Sequence, residues 1–454
     1  MPHLVFIPFL FAVGACVGSF LNVVVWRLPR IEVEEDASTF RALMRTIEGL
    51  SNPPSHCPKC NTPIKWYDNL PVIGWIKLRG KCRACGEPIS IRYPTIEFLT
   101  GAIFVFYYVM FFIVQIGPCA PVPRMVPHET LGSMKMIVQP LLFTQDWPIF
   151  ALSMAMIAAL LAASLIDAEL FMIPIEIPWV MAALGIIVHT IIDKPSMPGA
   201  LSVSPTAGAL AAGGTIGLIV TLVLWKFGII PISFPEGEPM LDVADPAVAG
   251  AAAGDNDAKK VIKYESASDP APPTQPFDLP PPMTRRELNR ELRKEMAFLL
   301  PPMLCAAAFY FMVTRIAPIG QWWSDLVVSH NWLSGLLGAL LGALVGGFVV
   351  WITRILGTIA FGRLAMGLGD VHLMFGVGAV IGAGCATIAF FLAPFFGIGL
   401  ALYMFVTGTK RELPYGPYLS LATAFVLLFC CPIEAYLAPG MEGLAMMIRQ
   451  ITGS

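Results

Sequence analysis

Charge is what this chain of 454 residues has little of. Lysine and arginine together number 29 and aspartate and glutamate 31, so that 13% of the residues are charged against 56% hydrophobic, and mean hydropathy is +0.71. Such a composition excludes a soluble globular domain and indicates a polytopic membrane protein. The formal net charge is only −2. It gives no basic excess, and no nucleic-acid partner is expected. Positive charge is also missing ahead of the first apolar run, 4–26, where a secretory signal peptide would carry it. Arg27 and Arg30 follow that run directly. The run therefore reads as a retained span, with its N-terminal end outside and Arg27 in the cytoplasm. No internal repeat is apparent.

What is present is a series of apolar segments long enough to span. A single segment in hydrocarbon must satisfy its own backbone hydrogen bonds, so each is a helix. The expected spans are 4–26, 98–116, 148–166, 173–192, 208–224, 296–316, 332–352, 373–391, 395–406 and 417–437. The fold class is thus an all-α polytopic membrane protein of about ten transmembrane helices with a small cytoplasmic zinc-binding domain. Its parts are a first span (1–30), a zinc-knuckle domain (31–97), helices two to five (98–232), a cytoplasmic insertion (233–295), helices six to ten (296–437) and a tail (438–454). The stretch 117–147, rich in proline, lies outside. Between 233 and 282 the chain turns to Pro, Ala, Asp and Glu with few large apolar residues, which cannot bury a core and reads as disordered. The following TRRELNRELRKE reads as a charged helix entering the membrane at the inner leaflet.

Two acids sit at span ends. Asp167 lies in SLIDAELFMIP and Asp370 in MGLGDVHLM, and the alternation of spans puts both on one membrane face. A carboxylate at a bilayer boundary is costly unless it faces protein or water, which marks it as functional. Two carboxylates held together share a proton. One can then activate water while the other polarises a carbonyl, as in aspartic proteases. The bland alternatives are a helix-capping Asp in a Gly-rich turn for Asp370 and an interfacial acid for Asp167. Glu169 and Glu176 compete for the partner role. Gly367 and Gly369 read as room for a substrate backbone beside Asp370.

Ten cysteines divide into two sets. Cys57-Pro-Lys-Cys60 and Cys82-Arg-Ala-Cys85 are two CxxC knuckles at a spacing that suits a four-thiolate structural zinc site. A redox pair is the rival reading, and His56 the rival ligand. Cys16, Cys119, Cys305, Cys385, Cys430 and Cys431 lie in or beside apolar runs and read as packing thiols.

Taken in order, GSFLNVVVWRLPR (18–30), the cysteine-bearing stretch 53–101, LIDAELFMIP (165–174), MGLGDVHLM (366–374) and YGPYLSLAT (415–423) resemble the type IV prepilin leader peptidases, a family of membrane-embedded aspartic proteases. The resemblance is dense over the first hundred residues and continues as islands. It implies a cytoplasm-facing site that removes a basic leader from prepilins or pseudopilins after a glycine, in the inner membrane of a bacterium. It carries the catalytic aspartates onto Asp167 and Asp370 and the zinc ligands onto Cys57, Cys60, Cys82 and Cys85. Membrane lipid and a substrate with an apolar N-terminal helix are the implied partners. The family's methylation of the new N-terminus from S-adenosylmethionine is implied too, yet no Gly-rich donor-binding fingerprint is legible. Three features depart from the pattern. Ile175 follows Pro174 where an acid is usual, His372 replaces a usual lysine, and the spans 208–224 and 296–316 are extra. A different class of function also fits the acids, namely a transporter or channel that uses Asp167 and Asp370 for proton or cation coupling.

Overall fold

The computed structural model describes residues 3–31, 39–118, 122–127, 134–139, 141–193, 197–230, 283–407 and 414–452. The 233–282 insertion lies outside them, as do Cys119, Lys410 and Arg411. Among the described residues eight helices are long and apolar enough to cross a membrane, which makes this a multi-pass membrane protein. In chain order the helices are α1 His3–Arg27, α2 Thr39–Ser51, α3 Ile73–Lys77, α4 Arg92–Val109, α5 Phe143–Leu170, α6 Glu176–Ile192, α7 Pro205–Lys226, α8 Arg285–Arg315, α9 Ala317–Ser329, α10 Asn331–Phe361, α11 Leu368–Thr407 and α12 Gly416–Thr452. A short antiparallel hairpin, β1 Val122–Pro127 with β2 Met134–Gln139, occupies part of the stretch expected to be loop. The connecting helix α9 was likewise not among the expected elements.

Ten spans were expected, and the difference lies in α6 and α11. α6 is 17 residues long, short of the other spans. α11 is one helical element, but Gly382 inside it has φ 81° and ψ 171°, outside helical space. The chain doubles back there. Before the break, Gly378 touches α10. After it, Cys385 is bonded to Cys430 of α12, and the Phe390 carbonyl accepts a hydrogen bond from the Tyr415 hydroxyl at 3.3 Å. A straight helix would carry Phe390 about 30 Å from Asp370 at 1.5 Å per residue. Counting both legs of α11 and α6 recovers ten segments, with the reversal at Gly382 rather than within 391–395. A single glycine with no Cβ makes so tight a reversal possible, which an uninterrupted apolar run does not reveal.

Close helix packing here comes from small residues, since lipid provides no hydrophobic drive between helices. α10 carries Gly335, Gly338, Gly342 and Gly346 on one stripe. A Cβ at Gly342 would lie 2.0 Å from the Gly378 carbonyl oxygen, and one at Gly346 2.3 Å from that of Met374. The backbone of α10 therefore lies directly on the first leg of α11, the leg that bears Asp370. At the far end of that leg the buried His189 ring is 3.0 Å from the Val380 carbonyl through Nε2 and 2.9 Å from Asp193 through Nδ1. On the other side of the bundle, Tyr108, Phe112, Phe143 and Phe150 meet tilted and edge to face at centroid separations of 5.3–6.2 Å. They fix α4 against α5. α12 closes the core: its Ala424 carbonyl accepts from the Tyr107 hydroxyl at 2.7 Å.

The cysteine expectation needs one correction. Cys385 and Cys430 are not packing thiols but a disulfide, and Cys431 is disulfide-bonded as well. The reversal at Gly382 brings Cys385 beside α12, a proximity that sequence spacing does not show.

Candidate active site

Asp167 sits in the last turn of α5, and Asp370 in the first turn of α11. Both are buried, at 7% and 8% exposure, and they lie within electrostatic range of each other. The turn between α5 and α6 organises the approach. α5 ends at Phe171 in the left-handed conformation, φ 53°, and Ile173 then enters the gap between three elements. A Cβ on Gly369 would lie 3.1 Å from Ile173 Cβ, and one on Gly416 would lie 3.3 Å from Ile173 Cδ1. The start of α11, the start of α12 and the Asp167 turn thus converge on one side chain.

Gly416 does more than leave room. Its backbone N–H donates to Asp167 Oδ2 at 3.0 Å, using a donor that the first turn of a helix leaves unpaired. A Cβ at this position would lie 2.6 Å from the same oxygen. The stretch YGPYLSLAT carries this contact, although nothing in the residue types announces it. The two glycines before Asp370 play different parts. Gly369 is packed on Ile173, so the expected space for substrate is not there. At Gly367 a Cβ would meet only Asp370 Oδ2, 3.8 Å away, and the Gly369 nitrogen at 3.9 Å. That side of the carboxylate is open.

Of the rival acids, Glu169 is ion-paired to Arg92 at 2.5 Å on the exterior, and Glu176 occupies the first turn of α6. His372 faces Trp179 of α6, their rings 6.5 Å apart. Sequence reasoning missed a buried ion pair next to the site. Arg354 of α10 meets Glu295 of α8 at 3.2 Å with both side chains almost fully buried, and the Trp351 indole N–H donates to Glu295 at 3.0 Å. Arg354 is in electrostatic range of both Asp370 and His372. A buried charge is retained only with such partners. The signal in the sequence was the one arginine of an otherwise apolar α10 and the last of three glutamates in the charged start of α8, without any spacing to join them.

The cysteine quartet forms a second centre. The Sγ atoms of Cys57, Cys60, Cys82 and Cys85 all lie within 4.8 Å of one another. The shortest separations run between knuckles, 3.8 Å for Cys57–Cys85 and 4.0 Å for Cys60–Cys82. Ligands about a tetrahedral ion with bonds of about 2.3 Å would be about 3.8 Å apart, so the four sulfurs fit zinc. No two of them are bonded to each other. The His56 ring is turned to the Pro54 carbonyl, 2.9 Å away, and is not one of the clustered groups. The two knuckles are built alike, a likeness on the scale of one turn that a search for larger repeats passes over. Cys57 and Cys82 each donate from N–H to the carbonyl five residues on, at 3.0 and 2.8 Å, and Asn61 and Gly86 take matching positive φ values of 54° and 74°. Arg83, within the second knuckle, donates to Asp68 at 2.7 Å and holds that carboxyl below its ordinary range.

This domain is bound to the bundle at the end where the aspartates lie. Arg27 donates to the Leu50 and Pro53 carbonyls at 2.9 and 2.7 Å. The Val72 N–H donates to Glu97 of α4 at 2.7 Å. The Arg92–Glu169 pair, two residues past Asp167, completes the connection.

Comparison with known proteins agrees with the resemblance seen in the sequence. Residues 12–111 match the bacterial peptidase A24 N-terminal domain. A prepilin leader peptidase/N-methyltransferase of Myxococcus xanthus is 46% identical over 99 residues, which is 22% of this chain and 25% of that protein. One of Klebsiella pneumoniae is 46% identical over 99 residues, 21% of this chain and 38% of that protein. A type 4 prepilin-like protein leader peptide-processing enzyme of Escherichia coli O78:H11 is 43% identical over 94 residues, 20% of this chain and 35% of that protein. The chain therefore spans about a quarter to two fifths of the curated relatives it matches, and the family-model match covers the cysteine centre but neither aspartate. No solved structure matches.

Proposed function

We propose that the chain is a membrane aspartic endopeptidase that cuts the leader from prepilins or pseudopilins after a glycine, at the cytoplasmic face of a bacterial inner membrane. The observation that carries this is the convergence of Asp167 and Asp370, which stand in widely separated parts of the sequence, as two buried and mutually interacting carboxylates beside a four-cysteine domain of the peptidase A24 type.

The pair shares one proton. The ionised member takes a proton from a water placed between the two, and that water attacks the scissile carbonyl carbon. The protonated member hydrogen-bonds the carbonyl oxygen as negative charge develops on it. Collapse of the tetrahedral intermediate breaks the C–N bond, with a proton delivered from the pair to the departing amine. The Gly416 N–H fixes one oxygen of Asp167, so that the other is free to face water or substrate. The open side of Asp370 at Gly367 admits an extended peptide backbone. The substrate's apolar helix remains in the bilayer while its leader stays in the cytoplasm, so the scissile bond arrives at the interface where the pair lies.

Orientation is supported by charge. Arg27, Lys226, Arg285 and Arg286 stand at the aspartate end of their helices, and Arg30 and Arg363 just past the ends of α1 and α10, as expected for the cytoplasmic side. The Cys385–Cys430 disulfide belongs toward the opposite end, Cys430 being about 21 Å along α12 from Gly416, and disulfides persist on the oxidising side. Zinc would be held by Cys57, Cys60, Cys82 and Cys85 and would close the domain; all four positions are filled by protein, which leaves none for a reacting group. N-methyltransferase figures in the relatives' names; S-adenosylmethionine is the methyl donor that the family resemblance implies, and among the described residues no donor site is assigned.

Co-expression with a prepilin from the same genome tests the reading. Wild type yields the shortened product, whereas Asp167→Asn and Asp370→Asn leave the precursor intact. Processing that survives either substitution would remove the pair from the mechanism. Intact precursor with wild type, together with pH-driven cation flux in vesicles that needs both acids, would favour a transporter.

A further inference from the structure

The four-cysteine domain carries an apolar surface that its own fold leaves uncovered. Leu70, Ile73 and Ile76 are 42%, 63% and 62% exposed, and Ile73 and Ile76 stand one turn apart on the single-turn helix α3. Apolar side chains of this size left in water are unfavourable in proportion to their exposed area, so their cover matters.

The depth of this turn identifies the cover. Val72, next to Ile73, donates to Glu97, and the Glu97 Cα is 2.8 Å from where a Cβ on Gly18 would be. Gly18 lies about 12 Å along α1 from Trp26 at 1.5 Å per residue. Trp26 is half exposed with the Arg30 guanidinium stacked 3.9 Å from its ring centroid, the kind of aromatic and basic pairing found at a membrane interface. The start of the α3 turn, at Val72, thus lies deeper than that interface marker, even at the full reach of a glutamate side chain. Apolar side chains at this level are exposed too: Phe98 of α4 and Phe20 of α1 are each 56% exposed. Lys77 and Arg79 are exposed directly after the apolar residues, where they can meet lipid phosphates while their stems lie along the acyl boundary.

We propose that the α3 turn is a lipid anchor. Leu70, Ile73 and Ile76 enter the acyl boundary of the membrane leaflet on the aspartate side, and Lys77 and Arg79 bind anionic headgroups above them. The four-cysteine domain is then seated in the bilayer surface, held between α4 and lipid, and its height above the aspartate pair is fixed by both. This holds whether or not the pair is a protease.

Photocrosslinking of the full chain tests it. The photoreactive residue p-benzoylphenylalanine replaces Ile73 or Ile76, and in a control it replaces Lys59, an exposed position on the first knuckle. Each protein is reconstituted in vesicles of phosphatidylethanolamine with or without phosphatidylglycerol and irradiated, after monodispersity is checked. The expected result is phospholipid adducts at 73 and 76 severalfold above those at 59, higher with phosphatidylglycerol, and lower again in that lipid with Lys77→Glu and Arg79→Glu combined. Equal yields at 73 and 59 would overturn the proposal, as would a principal adduct to a second copy of the chain or to a co-reconstituted prepilin. So would a yield indifferent to phosphatidylglycerol and to the charge reversals.

Discussion

Replacing Gly416 by alanine isolates the contact that orients Asp167. The position has no left-handed backbone requirement, and alanine is the better helix former by about 0.5–1 kcal/mol, so helix α12 itself should not suffer. The added methyl, however, would lie 2.6 Å from Asp167 Oδ2, and the carboxylate must swing away. It then loses the 3.0 Å hydrogen bond from the Gly416 N–H. A hydrogen bond to a charged group contributes about 1.5–3 kcal/mol, and each 1.4 kcal/mol is tenfold, so cleavage should fall about 10- to 150-fold. In the proposed mechanism Asp167 is a reacting group, and its displacement by about 1 Å puts the loss near the upper end of that range. The assay is kcat/KM on a purified prepilin in detergent, read beside thermal unfolding of the same preparation. Gly399→Ala is the control, because a Cβ there meets nothing within 4 Å. Wild-type cleavage by a folded Gly416→Ala protein would refute the role assigned to this hydrogen bond. An equal loss in both variants would show that the effect is not local.

Three other expectations follow from the packing. Glu295→Gln leaves Arg354 buried with a neutral partner and should cost about 3–5 kcal/mol, visible as a lower unfolding temperature, whereas Glu295→Met with Arg354→Met should recover much of it; a shift too small to measure for Glu295→Gln would mean that the pair does not anchor α8 to α10. Cys82→Ser should take zinc from about one per chain to none by metal analysis and expose residues 57–89 to proteolysis, and a metal-free wild type with that region protected would contradict it. Gly342→Val must displace a backbone carbonyl 2.0 Å from the new Cβ, so it should cost about 3 kcal/mol or more and sharply lower the yield of folded protein; normal yield and melting would show that α10 and α11 need not touch there.

Much of this was legible in the sequence, for particular reasons. Apolar runs of spanning length can only be helices in hydrocarbon, so the membrane class and most helix positions followed from hydropathy. The CxxC knuckles were legible because their ligands are local, and each supplies two sulfurs from one turn. Glycine and aspartate in MGLGDVHLM, and the alternation of spans, were enough to put Asp167 and Asp370 on one face. Face, however, is not distance. What brings the carboxylates together is the α10 glycine stripe against α11, the Ile173 plug between three helix ends, and the Gly416 N–H, and each depends on side chains far apart in the chain. The reversal at Gly382, the Cys385–Cys430 disulfide it permits and the Glu295–Arg354 pair are equally contacts between distant segments. A sequence determines local hydrogen bonding and which surfaces must avoid water. Which glycine faces which carbonyl, and which buried charge finds its partner, was decided only when the helices packed.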